Sequence, residues 1–493
     1  MAGLNRPPAD QVTTGDEERY PDRRASFSKT LPHNQWGEVR LDSYRLFVEI
    51  LSQGDPNRFS EMPRSYDAEL RLHNPQAAYA YDLAGIDSHS TAIDWPPPFA
   101  SPGMATEMAE LYWMALTRDV SYREYDSHPL IAAGLNDLQA FTSPAGPGAE
   151  KLTPLTVFRG ETNGDLTGPY ISQFLWQPIP FGATTLDQRE KYPVPAQNFL
   201  IDSEEWLACQ QGSKAKRTMV LDSERRYIRS SRDLAEFVRR IFSIQPYLNA
   251  AMLMLNFGED ALTPCNPYRG SKTDFGDLTF GGKNIVALLG QAALVAEKAA
   301  WYEKWLVHRR LRPEVFGARV HYELSGAKFY HLFPELLRSR AVSQTKIANG
   351  TSLLPVAYPE GSPTHPSYPS AHATVAGACA TVLKAFFNEE FLIPNAVHAS
   401  RDGMSLEPWS GSQVKLGGEI DKLAGNISFG RNAAGVHYRS DSAQGLLLGE
   451  MHGIGLLCDY SRTYRERFDG FGLSRFDGRK IRISGGAVKE VHA

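Results

Sequence analysis

The sequence has little of three things: cysteine, net charge and long uninterrupted apolar stretches. Its 493 residues include four cysteines, and none lies in a Cys-x-x-Cys pattern or in a Cys/His spacing typical of zinc sites. We therefore expect neither a disulfide framework nor a thiolate-bound metal. The formal net charge of −4 gives no basic field for nucleic acid, so nucleic-acid binding is not expected either.

The apolar stretches are short. The longest, residues 445–458, is interrupted by Glu450 and His452 and is too short to cross the hydrocarbon core of a membrane. Residues 1–40 are polar and lack the apolar centre of a secretory signal. We expect no membrane span and no signal peptide, hence a cytoplasmic location or non-classical export. The same 40 residues are predicted to form an arm, either extended over a neighbour or disordered.

Hydrophobic residues make up 42% of the chain and aromatic residues 11%, which is enough for a large core. Apolar residues recur at helical spacing in many segments, and turn-rich stretches separate them. The prediction is an all-α protein with helical bundles, long loops and little β-structure. Its parts are an arm (1–40), a helical and loop-rich part (41–275), a helical bundle (276–464) and a tail (465–493) with a short strand over 480–484.

Three charged segments stand out within the predicted bundle. The first, KWLVHRRLRP at 304–313, follows a long apolar helix pattern. Because Pro313 disfavours α geometry at Arg312, the helix is predicted to end near that residue. Lys304 and Arg312 would then lie about 12 Å apart along the helix, and their long side chains could meet on one anion. Taken alone, a solvated basic helix end is the better interpretation.

The second segment, HPSYPSAH at 365–372, precedes another apolar helix pattern. Ser370 lies where an N-cap residue belongs, so the backbone N–H groups that follow it form a natural seat for a phosphate-like anion. Capping alone would also explain Ser370. His372 in the first turn suits a general acid or base, although a surface histidine is the simpler alternative.

The third segment, GRNAAGVHYRSD at 430–441, contains Arg431, His437 and Asp441. His437 and Asp441 are four residues apart and share a helix face. A carboxylate that holds one imidazole nitrogen leaves the other nitrogen as a ligand or nucleophile. Read singly, His437 would more often be a packed core histidine.

Together the segments supply three cations, a hydroxyl and two imidazoles, a set that suits a tetrahedral oxyanion. The combination resembles the signature of the vanadium-dependent haloperoxidases and of the acid phosphatases that share their fold, and the resemblance covers residues 41–464. Three departures occur: seven residues rather than six separate Lys304 from Arg312, Ala371 replaces a glycine, and Gly430 replaces a serine. The longer gap is similar to the bromoperoxidases of marine algae and cyanobacteria.

The resemblance implies a role for each residue of the signature. His437 would bind the vanadium of a vanadate cofactor, and Asp441 would orient His437. Vanadate oxygens would be held by Lys304, Arg312, Arg431, Ser370 and the backbone N–H of Ala371. Three residues would be catalytic. His437 would be one of them, His372 would move protons, and Lys304 would polarise the peroxide.

The same resemblance implies the substrates and the assembly. His365, seven residues before His372, occupies a position where such bromoperoxidases carry histidine, which favours bromide over chloride. Hydrogen peroxide would oxidise bromide or iodide to a hypohalite that halogenates small organic acceptors. The protein would be a homo-oligomer, between a dimer and a dodecamer. Some relatives carry a structural calcium, which the sequence does not place here.

Two other functions stay open at this point. In an acid phosphatase on the same scaffold, His437 would be the nucleophile and His372 would protonate the leaving group. The long first gap and His365 argue against that alternative. A non-catalytic oxyanion-binding protein would not need His372, and several polar side chains aimed at a buried point are costly unless a ligand satisfies them.

Overall fold

The computed structural model describes residues 9–143 and 152–491, and helices dominate this part of the chain. The α-helices, in chain order, are α1 (Asp16–Arg19), α2 (Leu41–Gln53), α3 (Pro102–Thr117), α4 (Pro129–Leu138), α5 (Ser203–Gln210), α6 (Ser231–Arg240), α7 (Gln245–Asn256), α8 (Gly282–Tyr302), α9 (Pro313–Leu324), α10 (Pro334–Arg338), α11 (Arg340–Asn349), α12 (Ala371–Phe386), α13 (Leu416–Ala433) and α14 (Arg439–Tyr460). Single 3₁₀ turns or short 3₁₀ helices span Pro56–Glu61, Pro75–Tyr79, Ser88–Ser90, Tyr122–Glu124, Gln173–Leu175 and Glu259–Ala261.

Strands are short and antiparallel, as the sequence predicts for a mainly helical protein. They are β1 (Ile179–Phe181), β2 (Thr184–Leu186), β3 (Val397–Ala399), β4 (Leu406–Pro408), β5 (Phe471–Ser474), β6 (Lys480–Ser484) and β7 (Ala487–Glu490). The first four form two hairpins, and β5, β6 and β7 form one three-stranded sheet. The predicted strand over 480–484 is therefore confirmed, but the rest of the tail is more regular than the predicted loop.

The bundle is built around α12, which packs on α14, α8 and α13. Glycines on α14 allow the closest of these contacts. A Cβ atom added at Gly449 would lie 2.0 Å from the Thr374 carbonyl oxygen, and one added at Gly445 would lie 2.7 Å from the Ala373 Cβ. Since no larger side chain fits there, these glycines bring the start of α14 against the start of α12, where the charged segments meet.

The end of α8 differs from the sequence prediction. The α-helix stops at Tyr302, a π-helix runs over Glu303–His308, and Arg309 has a left-handed backbone with φ of +39°. The chain is then extended to Arg312, which precedes Pro313 at the first position of α9. The predicted continuous helix to Arg312 is wrong because the π-turn and the left-handed residue end it earlier. Lys304 and Arg312 thus approach the site from two different elements.

The described part of the predicted N-terminal arm packs on its own chain. Phe27 and Leu31 are buried in a cluster with Trp301 and Trp305 at the end of the α8 segment. Lys29 is buried as well and pairs with Glu314 of α9 at 3.3 Å. From residue 9 onwards, this segment is therefore a structural part of the wall around the end of α8.

By length and composition alone, the helical stretch Gly282–His308 could cross a membrane. Its apolar stripe, which includes Ile285, Leu288 and Leu289, is buried in the same core cluster as residues of α12. The stretch therefore occupies the position of a core helix in the bundle. No disulfide joins the cysteines in the described part of the chain.

Candidate functional site

Hydrogen bonds tie the three charged segments together at one point. The Lys304 ammonium donates to the carbonyl oxygens of Pro366 (2.9 Å) and Ser367 (2.8 Å), which joins the first segment to the second. Arg312 donates to the Val436 carbonyl at 2.8 Å, which joins the first to the third. The Ser370 N–H donates to the Asp441 carbonyl at 2.9 Å, which joins the second to the third.

Arg312 is almost wholly buried at the centre of this junction. Besides the Val436 carbonyl, its guanidinium contacts the His365 carbonyl oxygen (2.9 Å) and the His365 Nδ1 (2.9 Å). One of its terminal nitrogens lies 3.0 Å from the His437 Nε2. The N–H donors of the Arg312 guanidinium thus connect the imidazole of His365 in the second segment with that of His437 in the third.

Arg431 reaches the site from the last turn of α13 and is also buried. It donates a long hydrogen bond of 3.4 Å to the Tyr358 hydroxyl, and its guanidinium carbon lies 5.4 Å from the centre of that ring. Its Nε has no hydrogen-bond acceptor in the part of the chain that the structure describes. An unsatisfied buried donor of this kind is costly without a ligand.

Buried arginines without a carboxylate partner also occur elsewhere among the described residues, namely Arg118, Arg159 and Arg319. Lys304, Arg312 and Arg431 differ from them in lying close to one another at one junction. Over residues 9–143 and 152–491, none of the three forms an ion pair with a carboxylate, and their partners are carbonyls, a hydroxyl and imidazoles. Burial together with the nearby Arg312 moves the pKa of Lys304 well below its usual range. Burial together with Arg431 lowers the pKa of Arg312 to about 9, although Asp441 opposes the shift. The Asp441 charge thus offsets only part of the positive charge at Lys304 and Arg312.

The start of α12 contributes the second segment, as predicted. Ser370 is the N-cap residue, and its hydroxyl accepts from the Ala373 N–H at 3.5 Å, a long capping bond. Ala371 is the first residue of the helix, so its N–H has no acceptor within the helix. His372 follows and is less buried than its neighbours. Burial and then the Arg431 charge lower the pKa of His372 to about 3, so its imidazole is neutral.

His437 and Asp441 are paired, but the predicted shared helix face is wrong, because His437 lies before the start of α14 and Asp441 lies in the first turn of that helix. The His437 Nδ1 lies 2.8 Å from an Asp441 carboxylate oxygen, and both side chains are buried. An ionised carboxylate requires the proton on Nδ1, so Nε2 presents its lone pair on the side of Arg312. Burial and the Arg312 charge hold the pKa of His437 well below its usual range, so Nε2 is unprotonated and accepts a hydrogen bond from Arg312.

Sequence reasoning missed the residues that hold Asp441. Arg310 donates to its carboxylate at 2.7 Å and pairs with Glu107 of α3 at 3.0 Å, and the Ser367 hydroxyl also donates to it. Burial alone would raise the pKa of Asp441, but Arg310 and the His437 hydrogen bond hold it below its usual range. The sequence did contain one indication of such partners, namely two glutamates, Glu107 and Glu110, in the otherwise apolar α3. A glutamate buried in such a helix requires a cationic partner.

His365 lies on the opposite side of Arg312 from His437. Its ring centre is 5.0 Å from that of Trp301 and 5.6 Å from that of His73. Burial and the Arg312 charge keep its pKa well below the usual range, so His365 is neutral. The structure therefore places all of the predicted site residues, including His365, around one buried cationic centre.

This donor set fits a tetrahedral oxyanion. Among the described residues, three buried cations lack carboxylate partners and Arg431 has an unsatisfied N–H, while the first N–H groups of α12 have no acceptor within their own helix. One imidazole nitrogen, the Nε2 of His437, is oriented as a ligand by Asp441. Phosphate and vanadate share the shape and charge that such a site requires.

Comparison with known proteins supports this interpretation. The domain family described as the VCPO second helical-bundle domain matches residues 284–464, which contain all three charged segments. A vanadium-dependent bromoperoxidase of Ascophyllum nodosum is 36% identical over 96% of this chain and 88% of its own length. The chain belongs to the vanadium-dependent bromoperoxidase family. Family membership implies vanadate as the cofactor.

Other members of the vanadium-dependent bromoperoxidase family match at similar levels. The bromoperoxidase of Corallina pilulifera is 33% identical over 97% of this chain and 96% of its own length. The structure of the second vanadate-dependent bromoperoxidase of Ascophyllum nodosum, described as homohexameric, superposes with a TM-score of 0.93 at 25% identity, covering 99% of this chain and 90% of that one. The all-α fold class is therefore confirmed.

Proposed function

We propose that the protein is a vanadate-dependent bromoperoxidase, which oxidises bromide, and also iodide, with hydrogen peroxide to hypohalite. The hypohalite then halogenates small organic acceptors. One observation carries the proposal: Arg312, one of three buried cations without a carboxylate partner among the described residues, lies 3.0 Å from an imidazole nitrogen that a buried aspartate orients as a ligand. A tetrahedral oxyanion supplies the missing negative charge, and relatives of this family are named for vanadium and bromide.

The site residues have distinct roles in this proposal. His437 Nε2 would bind the metal. Asp441, held by Arg310, keeps the imidazole proton on Nδ1, while burial and the Arg312 charge keep Nε2 unprotonated. The anion oxygens would be held by Lys304, Arg312, Arg431, the Ser370 hydroxyl and the Ala371 N–H. Bound vanadate supplies Lewis-acid activation of hydrogen peroxide without changing oxidation state. Charge-assisted hydrogen bonds contribute roughly 1.5–3 kcal/mol each, so several together retain an anion firmly.

Proton transfer is assigned to His372. Its imidazole is neutral in the absence of an anion, because burial and Arg431 lower its pKa to about 3. A multiply charged anion beside it would offset the Arg431 charge and favour the imidazolium form. His372 can therefore accept a proton as peroxide enters and return it as the hypohalite leaves. Lys304, an ammonium with two carbonyl partners and one remaining N–H, polarises the peroxide.

Halide preference is assigned to His365. This neutral imidazole lies beside Arg312 and Trp301, so a halide there would contact a cation and an aromatic edge. The proposal favours bromide over chloride. If the assignment is correct, His365→Ala changes the ratio of bromide to iodide rates, and an unchanged ratio would contradict it.

The assembly is proposed to be a homo-oligomer. A relative with the same fold over 99% of this chain is described as homohexameric. Calcium is not included in the proposal, because residues 9–143 and 152–491 contain no cluster of three or more His, Cys, Asp or Glu side chains suited to a metal.

The test is bromide-dependent consumption of peroxide by metal-stripped protein, with and without orthovanadate, and again after incubation with excess phosphate. We expect activity only with orthovanadate, and suppression by phosphate. Inactivity toward bromide combined with vanadate-inhibited hydrolysis of p-nitrophenyl phosphate would instead assign the phosphatase chemistry, in which His437 attacks phosphorus. Absence of both activities would leave only oxyanion binding.

His437→Ala provides the matched variant for this assay. Removing the ligand nitrogen should lower retention of orthovanadate after dialysis by at least about 100-fold, in the range of several kcal/mol expected for a metal ligand. Equal retention by the wild type and His437→Ala would contradict the role of His437. His372→Ala should retain orthovanadate and lose turnover, which separates the binding role from the proton-transfer role.

A further inference from the structure

An exposed histidine from the N-terminal half of the chain lies over the halide side of the site. His73 belongs to the segment that leads into the 3₁₀ helix Pro75–Tyr79, more than 200 residues before Lys304. Its ring centre is 5.4 Å from that of Trp301 and 5.6 Å from that of His365. Trp301 and His365 also contact each other at 5.0 Å, so the three rings form one cluster.

The backbone of His73 is fixed to both sides of this cluster. Its N–H donates to the Thr364 carbonyl at 3.0 Å, and Thr364 immediately precedes His365. Its carbonyl accepts from the Trp301 indole N–H at 3.2 Å. The Thr364 hydroxyl also donates to the Arg71 carbonyl at 2.6 Å. Four contacts, two of them through rings, therefore hold His73 in place, which is more than a solvated loop histidine requires.

Exposure to solvent decreases across the cluster from His73 to the cationic centre at Arg312. His73 is exposed, Trp301 is 8% exposed, His365 is 6% exposed and Arg312 is 1% exposed. Partial desolvation of the ring lowers the pKa of His73, so its ring is neutral at neutral pH. A neutral ring at this position acts as a wall that excludes water from Trp301 and His365 without adding a competing charge.

We propose that His73 is a specificity-determining residue, which forms the outer wall of the halide subsite through its ring contacts with Trp301 and His365. This inference rests on the proposed function and adds to it a residue from a part of the chain outside all three charged segments. Water exclusion favours the larger and more weakly hydrated halides, because a less hydrated subsite strengthens their contact with the Arg312 charge. The wall therefore contributes to halide affinity and leaves vanadate retention unaffected.

The first test compares His73→Ala with the wild type in the presence of saturating orthovanadate. We expect the KM for bromide to rise at least about fivefold, with kcat within about twofold, since a binding contact is lost and the reacting groups are untouched. Orthovanadate retention after dialysis should not change. His73→Phe keeps a ring and loses the imidazole nitrogens, so it should restore a KM close to that of the wild type.

A second readout does not depend on turnover. Iodide quenches indole fluorescence on contact, and the difference between the wild type and Trp301→Phe isolates the Trp301 signal. In the metal-stripped protein, His73→Ala should expose Trp301 and increase its iodide quenching constant at least about twofold, whereas His73→Phe should not. His398→Ala, which removes a histidine from the distant strand β3, is the matched control and should change neither quantity.

The outcomes separate this inference from the proposed function. A wild type without vanadate-dependent bromide oxidation contradicts the proposed function, while the fluorescence result still reports on the wall. An active wild type whose KM for bromide is unchanged in His73→Ala overturns the inference alone. A His73→Phe variant as impaired as His73→Ala would also overturn it, because the ring could not then be what acts.

Discussion

Two regions of the same bundle each contain a buried lysine, and the two lysines differ in their hydrogen-bond partners. Near the far end of α12, Lys384 is fully buried and pairs with Asp421 at 2.9 Å, above the ring of Phe476 at 4.5 Å. At the site, Lys304 is equally buried and bonds only to two carbonyls. Burial would lower the pKa of Lys384, but Asp421 and Glu389 raise it overall, whereas the pKa of Lys304 falls well below its usual range.

The difference shows how to distinguish a structural cation from a binding cation. A buried lysine that serves the fold brings its own carboxylate, as Lys29 does with Glu314 and Lys422 with Glu419. Among the described residues, Lys304, Arg312 and Arg431 have no such partner, although Asp441 lies near them, because Asp441 is already held by Arg310 and His437. Because these three cations lie at one junction, we expect an anionic ligand to balance their charge.

The largest expected effect is on stability, from breaking the paired lysine. Lys384→Met leaves Asp421 buried and uncompensated, which should lower the free energy of unfolding by about 3–5 kcal/mol. The matched change Lys304→Met loses two hydrogen bonds but relieves repulsion between cations, so it should cost about 1 kcal/mol. Urea unfolding of the two metal-stripped variants measures both values. Equal losses would mean that Lys304 is as structural as Lys384.

The next largest effect is on anion binding, where Lys304→Met should be impaired more than Lys384→Met, the reverse of their order in stability. At a concentration of 100 times its Kd, orthophosphate should stabilise the metal-stripped wild type by about 2.7 kcal/mol. Lys384→Met should keep this stabilisation. Lys304→Met should raise the Kd for phosphate by about 10- to 100-fold, equivalent to one charge-assisted hydrogen bond. A phosphate response that survives in Lys304→Met and disappears in Lys384→Met would reverse the assignment of the two regions.

The smallest effect compares two buried histidines as pH falls. Burial lowers the pKa of His372 to about 3 and that of His452, outside the site, to about 4. Both folded pKa values lie below the unfolded value of about 6.5. The contribution of each neutral histidine to the free energy of unfolding is therefore fully present above about pH 6.5 and is lost as pH falls below it. The loss is at most about 1.4 kcal/mol per pH unit for each histidine.

Phosphate should distinguish these two histidines. A bound anion offsets the Arg431 charge at His372, so phosphate should reduce the loss of stability that His372 causes and leave that of His452 unchanged. His372→Gln and His452→Gln, compared by urea unfolding between pH 4 and 7 with and without phosphate, isolate the two contributions. If phosphate changed the contribution of His452 as much as that of His372, the anion would not be bound at the predicted site.

The sequence predicted a set of site residues but not the residues that support them. Side-chain type and spacing led to the proposal of Lys304, Arg312, Ser370, His372, Arg431 and His437, because motif chemistry is local in sequence. The break after Tyr302 was not predictable from periodicity, because apolar residues at helical spacing do not show where the backbone hydrogen bonds change from the α to the π pattern. Partners such as Arg310, Glu107 and His73 depend on contacts between distant segments, which one sequence does not encode locally.

The most direct test of the central claim is a titration of the metal-stripped protein with orthovanadate, followed by equilibrium dialysis. The account predicts one tightly held vanadate per chain, displaced by excess orthophosphate and reduced in Lys304→Met but not in Lys384→Met. Failure of the wild type to retain vanadate, or retention that phosphate does not compete with, would show that the unpaired cations are not the seat of an oxyanion.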